Sequence, residues 1–409
     1  MSYAGGRGMM SQLLQFRRIL RLSGRKFSTC SNTNPDHNIQ SRAYTKPLSA
    51  TINKLFKERD LDKLVVGFKL ASESYRFRCR HNIYEFTVRR LAAAGRLDAV
   101  ESILEHQKRF AADLTREGFG VRLISLYGKA GMATNAADTF DQLPSFGSPR
   151  SVLSFNAVLT AFVDAGDYSR VVTTFRDVPA GDTSITPNLI SYNILIKALC
   201  EKGDLDAALD SLVLMEKNGI SSDLISFNIL LKGLYESKRF SDAENIWNRM
   251  ARENIQPDIK CFNAKMRGLV SVGKTLEAVA ILDKINQSGL KADIFTFNAL
   301  IKAYCQDGNL EQAKLVYMNL INNGCAPNKE TFLVLIPSLS EAGELDLALK
   351  VSKESLSRRC SPGSEILQRV VDGLAKNFKV EEARKLVEIS RANGYSKKSI
   401  RMPLSCLAV

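Results

Sequence analysis

Apolar residues recur with a helical period in short segments along most of the chain. In residues 189–223, four apolar positions follow the i, i+3, i+4, i+7 spacing of one helix face: Tyr192, Leu195, Ile196 and Leu199. Gly203 predicts the end of this helix, because glycine accepts the left-handed backbone found there. A second apolar series follows: Leu205, Ala208, Leu209, Leu212 and Met215. The segment is therefore predicted to fold as a hairpin of two amphipathic helices.

The hairpin pattern repeats with a constant period. An aromatic residue followed by Asn recurs, with Asn spacings of 37, 35, 35 and 35 residues, at Asn156, Asn193, Asn228, Asn263 and Asn298. A small residue recurs every 35 residues at Ala208, Ala243, Ala278, Ala313, Ala348 and Ala383. Glycine recurs in phase with both markers at Gly95, Gly131, Gly166, Gly203, Gly273, Gly308 and Gly343. Such self-similarity is typical of repeat proteins, in which each unit buries its apolar face against a neighbour.

Extension of this frame predicts an all-α protein, a right-handed superhelical solenoid of about ten antiparallel helix hairpins. The predicted hairpins are 45–80, 81–116, 117–151, 152–188, 189–223, 224–258, 259–293, 294–328, 329–363 and 364–398. The solenoid is thus expected over 45–398, with its most typical repeats at 152–328 and a C-terminal tail at 399–409. Repeat 152–188 has two residues more than the 35-residue period, and these are expected between hairpins, near 179–186.

The charge distribution separates a basic leader from the repeats. The formal net charge is +14, and residues 1–44 contain seven Arg and Lys residues but one acid, Asp36. An Arg-rich, Ser-rich and acid-poor leader with interleaved apolar residues predicts a mitochondrial transit peptide and hence a mitochondrial matrix location. Cleavage is expected before Ser28 or before Thr45. The alternative is a disordered basic arm that binds RNA directly.

The repeat resembles the pentatricopeptide repeat (PPR), in the subclass built only of 35-residue motifs. The resemblance is carried by motif starts such as Leu189–Ile196 and motif ends such as Gln256-Pro257-Asp258. The segments Glu117–Phe119 and Ser151–Ala157 are similar to those of short plant members found with the small subunit of the mitochondrial ribosome. The resemblance implies a groove that binds single-stranded RNA, with one base addressed by each repeat.

In this family the fifth and last residues of each motif contact a base. An Asn amide suits the fifth position, because it offers both a hydrogen-bond donor and an acceptor. The pairs Asn193 with Asp223, Asn228 with Asp258, and Asn263 with Asp293 then resemble uracil-binding pairs. Asn156 with Asn188 and Asn298 with Asn328 resemble pyrimidine-binding pairs. The second residue of each motif is expected to flank the bases: Leu153, Ile190, Ile225, Lys260 and Phe295.

A structural interpretation competes with base contact at these positions. Asn and Asp at motif ends are good helix N-caps, although capping explains the Asn residues inside helices poorly. Elsewhere the fifth position holds Glu85, Val121, Leu333 or Gln368, which depart from the motif. The five intact repeats predict pyrimidine-U-U-U-pyrimidine, a string expected about once in ~250 random nucleotides under one-base-per-repeat recognition. Such weak specificity favours a protein positioned on its RNA by an assembly.

No constellation of catalytic or metal-binding residues is evident. The chain has three His residues, no Cys-x-x-Cys pair and no Gly-rich phosphate loop, and we expect no catalytic residue, cofactor, metal or small-molecule substrate. No apolar run of membrane-spanning length occurs, so no membrane insertion is expected. The leading hypothesis is a non-catalytic RNA-binding component of the mitochondrial ribosome small subunit that acts in translation. The alternatives are a free mitochondrial mRNA stability or translation factor and a protein–protein scaffold.

Overall fold

A computed structural model describes residues 48–360, 362–395 and 399–403. The predicted leader at 1–44, with both cleavage sites, lies outside the described residues. In the described ranges all regular secondary structure is helical, as the apolar period predicts. The helices belong to two compact units, the first ending at Ser221 and the second beginning at Ser222.

The first unit contains five helical hairpins. Their helices are α1 Leu48–Lys57, α2 Leu61–Ser72, α4 His81–Ala93, α5 Leu97–Gln107, α7 Glu117–Lys129, α8 Ala133–Gln142, α9 Val152–Asp164, α10 Tyr168–Gly181, α11 Leu189–Lys202 and α12 Leu205–Lys217. Three short turns of helix follow the second helices of the first three hairpins: α3 Tyr75–Arg78, α6 Ala111–Leu114 and a 3-10 turn at Leu143–Phe146.

The second unit also contains five hairpins, without intervening short helices in its described residues. Their helices are α13 Leu224–Glu236, α14 Phe240–Arg252, α15 Ile259–Ser271, α16 Thr275–Gln287, α17 Ile294–Gln306, α18 Leu310–Asn322, α19 Lys329–Glu341, α20 Leu345–Ser357, α21 Ser364–Lys376 and α22 Val380–Ala392. The first helix of each hairpin packs on the first helix of the next, so that α13, α15, α17, α19 and α21 form one layer.

In six of the described hairpins, from 189–223 to 364–398, a small residue allows the two helices to approach closely. The recurring alanine of the second helix is 0% exposed in every repeat where the sequence places it: Ala208, Ala243, Ala278, Ala313, Ala348 and Ala383. Around it lie larger apolar side chains, such as Phe297 and Leu300 of α17, which are almost fully buried. The apolar period and the alanine period therefore describe one core.

The turn inside nine of the ten described hairpins contains a left-handed residue, and the turn of the first hairpin, at 58–60, does not. Gly203 ends α11 with φ +87°, and its backbone N–H donates to the Cys200 carbonyl. Two hairpins place a side chain at the same turn position, Lys238 and Phe378, each with φ +60°. A left-handed backbone costs a non-glycine residue roughly 1–2 kcal/mol, so these two turns are strained.

The long repeat differs from the expectation at Pro179. Helix α10 continues to Gly181 and contains Pro179 in its last turn, so the segment between hairpins starts only at Asp182. Proline lacks the backbone N–H that a residue in the last turn of a helix donates to the carbonyl four residues earlier, so the helix continues here without that hydrogen bond. The extra residues of this repeat therefore lengthen a helix as well as a loop.

Candidate nucleic-acid interface

Each first helix leaves one side uncovered by its neighbours. In α17, Phe295 at the second motif position is 49% exposed and Lys302 at the ninth is exposed, whereas Leu300 and Ile301 are buried. Residues three, four and seven apart lie on the same side of a helix. Motif positions 2, 5 and 9 therefore share one face, called here the exposed face.

The predicted base-flanking residues lie on this face with unequal exposure. Leu153 is 51% exposed and Phe295 is 49% exposed, Lys260 is exposed, and Ile190 and Ile225 are partly buried. An apolar or aromatic side chain left half in water is well placed to stack on a base. Their contact with RNA stays a prediction.

Asn263 shows the geometry of the fifth motif position. Its side chain is 4% exposed. Its Nδ2 donates to Asp293 Oδ1 at 2.9 Å, and its Oδ1 accepts from Thr296 Oγ1 at 2.7 Å. Asp293 also caps α17, because the same Oδ1 accepts the backbone N–H groups of Phe295 and Thr296 at 3.0 Å. The structure thus brings the two predicted base-contacting residues of this repeat into direct contact.

The same arrangement recurs on both sides of Asn263. Asn298 donates to Asn328 Oδ1 at 3.0 Å and accepts from Thr331 Oγ1 at 2.7 Å. Asn228 donates to Asp258 Oδ2 at 3.3 Å and accepts from the Cys261 thiol at 3.0 Å. Each amide therefore links its own helix to the N-terminus of the next repeat.

The first unit contains one complete example. Asn156 Nδ2 donates to Asn188 Oδ1 at 3.2 Å, and Ser191 Oγ donates to Asn156 Oδ1 at 2.6 Å. Asn193, 4% exposed, belongs to the same unit. Its predicted partner Asp223 belongs to the second unit, where its carboxylate caps α13 by accepting the Ser226 N–H at 2.9 Å.

These contacts orient the amides. A carboxylate only accepts hydrogen bonds, so Asn263 must direct Nδ2 at Asp293 and Oδ1 at the Thr296 hydroxyl. One N–H and one lone pair of the amide are then left for a ligand. Helix N-capping accounts for the Asp residues at motif ends, as the structural interpretation predicts. The hydrogen bonds between repeats give the Asn residues a structural role as well.

The hydroxyl partner was absent from the sequence prediction. It lies at the third motif position of the following repeat, where the polar residue is Ser191, Cys261, Thr296 or Thr331. A signal was available, because a small side chain with a polar hydrogen recurs there every 35 residues in the second unit. Its meaning required the neighbouring repeat to be in place.

Three repeats that depart from the motif lack the amide link. Glu85 accepts from Lys129 Nζ at 2.6 Å, an ion pair between two half-exposed side chains. Val121 is partly buried, and Leu333 is 39% exposed. Neither apolar side chain offers a hydrogen bond to a base.

In the last repeat, the side chain at the fifth motif position, Gln368, is bound by a later segment of the same chain. Gln368 Nε2 donates to the Arg401 carbonyl at 2.9 Å, and Arg401 N donates to Gln368 Oε1 at 2.9 Å. The neighbouring Ile400 is 0% exposed. Residues of the described segment 399–403 thus bind the side chain at the fifth motif position of α21, and both hydrogen-bonding ends of the Gln368 amide are used.

The described ranges contain cysteines and other residue types that can ligate metals. Burial raises the pKa of the Cys261 thiol to about 12, which keeps it protonated near neutral pH. The six cysteines described are all free thiols. No three His, Cys, Asp or Glu side chains of the described part lie together in a way that suits a metal ion.

Within the described residues, no helix combines the length and apolar character that crossing a membrane requires.

Comparison with known families identifies the repeat. Residues 187–236, 223–271 and 292–341 match the PPR repeat family, and residues 147–202 match the pentatricopeptide repeat domain. All ten residues of the five predicted pairs lie within the matched segments, and residues 272–291 lie between two of those segments. 

Two relatives from Arabidopsis thaliana carry ribosomal names. The chain is 43% identical over 196 residues to small ribosomal subunit protein mS78 (rPPR3a), covering 48% of this chain and 49% of that protein. It is 38% identical over 213 residues to small ribosomal subunit protein mS79 (rPPR3b), covering 52% of this chain and 53% of that protein. The alignments thus span about half the length of these relatives.

A solved structure has a similar helical repeat. The crystal structure of the pentatricopeptide repeat protein PPR10 from maize aligns with 85% of this chain and 58% of its own, at 20% identity and a TM-score of 0.45. The matches and the 35-residue hairpins described above show that the chain contains pentatricopeptide repeats at residues 147–271 and 292–341.

Proposed function

We propose that this chain is a non-catalytic protein that binds single-stranded RNA along the exposed face of its first helices. The observation that carries the proposal is the recurring Asn amide, held in one orientation. At Asn263 one N–H and one lone pair take no part in the hydrogen bonds between repeats, whereas Asn298 Nδ2 also donates to Glu330 Oε2 at 3.4 Å. A base that offers an acceptor, such as the carbonyl oxygens of uracil and cytosine, complements that N–H. The base-contacting set is the fifteen residues named from the sequence.

We propose further that the protein acts in the small subunit of the mitochondrial ribosome, in the mitochondrial matrix. The similarity to mS78 and mS79 supports this placement. The low information content of the predicted RNA string also supports it, because an assembly then supplies the position that base contacts alone do not. A role in translation follows from that placement.

Sedimentation tests the ribosomal placement. Tagged protein expressed in plant mitochondria is expected to co-sediment with the small subunit in a gradient, and to crosslink mainly to ribosomal RNA. Protein found wholly in light fractions, with a discrete U-rich footprint on messenger RNA, would contradict it in favour of a free mRNA factor. Absence of any RNA crosslink would instead indicate a protein scaffold.

A matched pair of variants tests base contact at one repeat. Asn263→Ala removes the amide, whereas Thr296→Val weakens the same structural link but keeps the amide. Loss of one hydrogen bond is expected to weaken oligouridine binding by about 2–10-fold in Asn263→Ala. A smaller effect in Thr296→Val would assign that loss to the base. Equal effects in both variants would make the role of Asn263 purely structural.

A further inference from the structure

A second residue type follows the Asn residues in the second unit. Asn228, Asn263 and Asn298 are each followed four residues later by a cation: Lys232, Arg267 and Lys302. The cations therefore recur every 35 residues at the ninth motif position. Residues four apart are neighbours on one side of a helix, so each cation lies beside an Asn on the exposed face.

The cations are open to solvent. Arg267 and Lys302 are exposed, and neither takes part in an ion pair within the described part of the chain. Lys232 is 44% exposed at its side chain and contacts Glu236 at 3.2 Å. Such an i,i+4 pair at the surface contributes only about 0.3–0.5 kcal/mol, so a phosphate group readily competes with Glu236 for Lys232.

In the second unit, a cation holds the ninth position in each repeat with the Asn amide and in neither repeat without it, whereas in the first unit Arg89 holds that position in the repeat that carries Glu85. In the second unit, the two repeats that carry Leu333 and Gln368 instead of Asn have Pro337 and Asp372 at the ninth position. In the first unit, Asn193 is followed by Lys197 in the same way, whereas Asn156 is followed by Thr160. Solubility alone gives no reason for a cation to accompany the amide in all three repeats of the second unit and in neither of the others.

The stacking of the helices places the cations in one row. Helices α13, α15 and α17 pack consecutively and present the same motif positions on the same side. Packed helices lie about 8–10 Å apart, within the combined reach of Lys and Arg side chains. A strand whose bases approach the Asn amides one per repeat would carry its phosphates past this row.

We propose that Lys232, Arg267 and Lys302, named here the phosphate row, bind the phosphates of a single-stranded RNA whose bases lie at the neighbouring Asn residues. This inference rests on the proposed function and extends it from base edges to the backbone. Contacts to phosphate carry affinity without sequence information. The phosphate row therefore explains how an array with a weak base code holds RNA.

The dependence of affinity on salt tests the phosphate row. Oligouridine binding is measured by fluorescence anisotropy between about 50 and 200 mM salt, for the full chain and for the triple variant K232Q/R267Q/K302Q. Each phosphate contact on a single strand contributes about −0.7 to the slope of log affinity against log salt, so loss of three contacts flattens the slope by about 2. Over that fourfold salt range, the unmodified protein should lose about 20-fold more affinity than the variant.

A second triple variant controls for total charge. R252Q/K284Q/K350Q removes three exposed cations from second helices of the same unit, α14, α16 and α20. The control is expected to keep the slope of the unmodified protein, because charges beyond a Debye length of about 10 Å are screened at 0.1 M salt. Thermal melting of both variants checks that the fold is retained.

The outcomes separate the two proposals. If the unmodified protein binds oligouridine but both triple variants keep its slope, or change it equally, the phosphate row is wrong while RNA binding stands. If the unmodified protein does not bind RNA even at about 50 mM salt, both the proposed function and the phosphate row are wrong. A flattened slope in K232Q/R267Q/K302Q alone supports the phosphate row.

Discussion

At the scale of single residues, the Asn side chain at the fifth motif position combines a structural role with a proposed role in RNA binding. Its amide joins consecutive repeats through a cap oxygen and a hydroxyl, as Asn263 does with Asp293 and Thr296. The same amide is the group predicted to contact a base. A side chain held by its own protein needs no reordering to receive a base, which lowers the entropic cost of binding.

The hydroxyl that orients the amide should contribute to stability. Thr296→Val leaves the Asn263 oxygen buried without its donor, at a cost of roughly 1–3 kcal/mol. Urea unfolding is expected to show this loss. Thr173→Val, at an exposed threonine whose hydroxyl bonds only to carbonyls of its own helix, is the control and should change stability little. Equal effects of the two substitutions would contradict the structural role of Thr296.

His81 should make the stability of the first unit depend on pH. Burial and the nearby Arg122 guanidinium lower its pKa from 6.5 to about 4, against the opposing charge of Glu85. Between these values the ring is neutral when folded and protonated when unfolded, so stability falls as pH drops from 6.5 to 4.

The comparison of the unmodified protein with His81→Gln isolates this effect. Since the ring is only half-buried, the pH-dependent difference in unfolding free energy is expected to be about 1–2 kcal/mol across that window. Denaturant unfolding at several pH values measures it. A difference that stays constant from pH 7 to pH 4 would show that His81 does not titrate abnormally.

At the scale of helices, the small residue of each second helix sets the distance between the two helices of a hairpin. Ala278 is 0% exposed, whereas Ala280 on the same helix is exposed. The two alanines therefore offer a comparison of the buried and exposed sides of α16 that holds helix propensity nearly constant.

Enlargement of the buried alanine should separate the hairpin. Ala278→Leu adds three carbon atoms at a filled position and is expected to destabilise the protein by about 1–3 kcal/mol. Ala280→Leu should change stability by less than about 0.5 kcal/mol. Thermal unfolding of both variants checks the difference, and a neutral Ala278→Leu would mean that the helices do not meet at this residue.

At the scale of the whole molecule, the repeats divide into those with and those without the Asn link. In the second unit, the repeats that start at 224, 259 and 294 carry both the amide and the cation. The last repeat instead binds Arg401 through Gln368, so the amide at its fifth motif position is already engaged. We therefore expect RNA contacts to concentrate in the repeats that keep the amide.

The preserved repeats predict a preference among homopolymers. Oligouridine and oligocytidine are expected to bind at least about tenfold more tightly than oligoadenosine, since the residue pairs resemble those that bind pyrimidines and each mismatched repeat would lose a hydrogen bond of roughly 0.5–1.5 kcal/mol. Competition binding at fixed salt measures the preference. Equal affinity for all three homopolymers would leave phosphate contacts as the main source of binding.

The sequence by itself determined the repeat, the helices and the positions that share a face. A 35-residue period of apolar, alanine and glycine positions constrains local structure, because helical spacing and turn geometry depend on nearby residues. For the same reason it predicted helix N-caps at motif ends, where Asp258 and Asp293 lie.

Only the tertiary structure decided how these side chains are used. The link from Asn263 to Thr296 and the cover of Gln368 by Arg401 each join residues 33 positions apart, which meet only after the hairpins have stacked. Helix α10 also extends through Pro179, although the sequence predicts that the extra residues near 179–186 lie between hairpins. Periodicity predicts which residues face the same way, whereas hydrogen bonds between repeats depend on distances that only packing establishes.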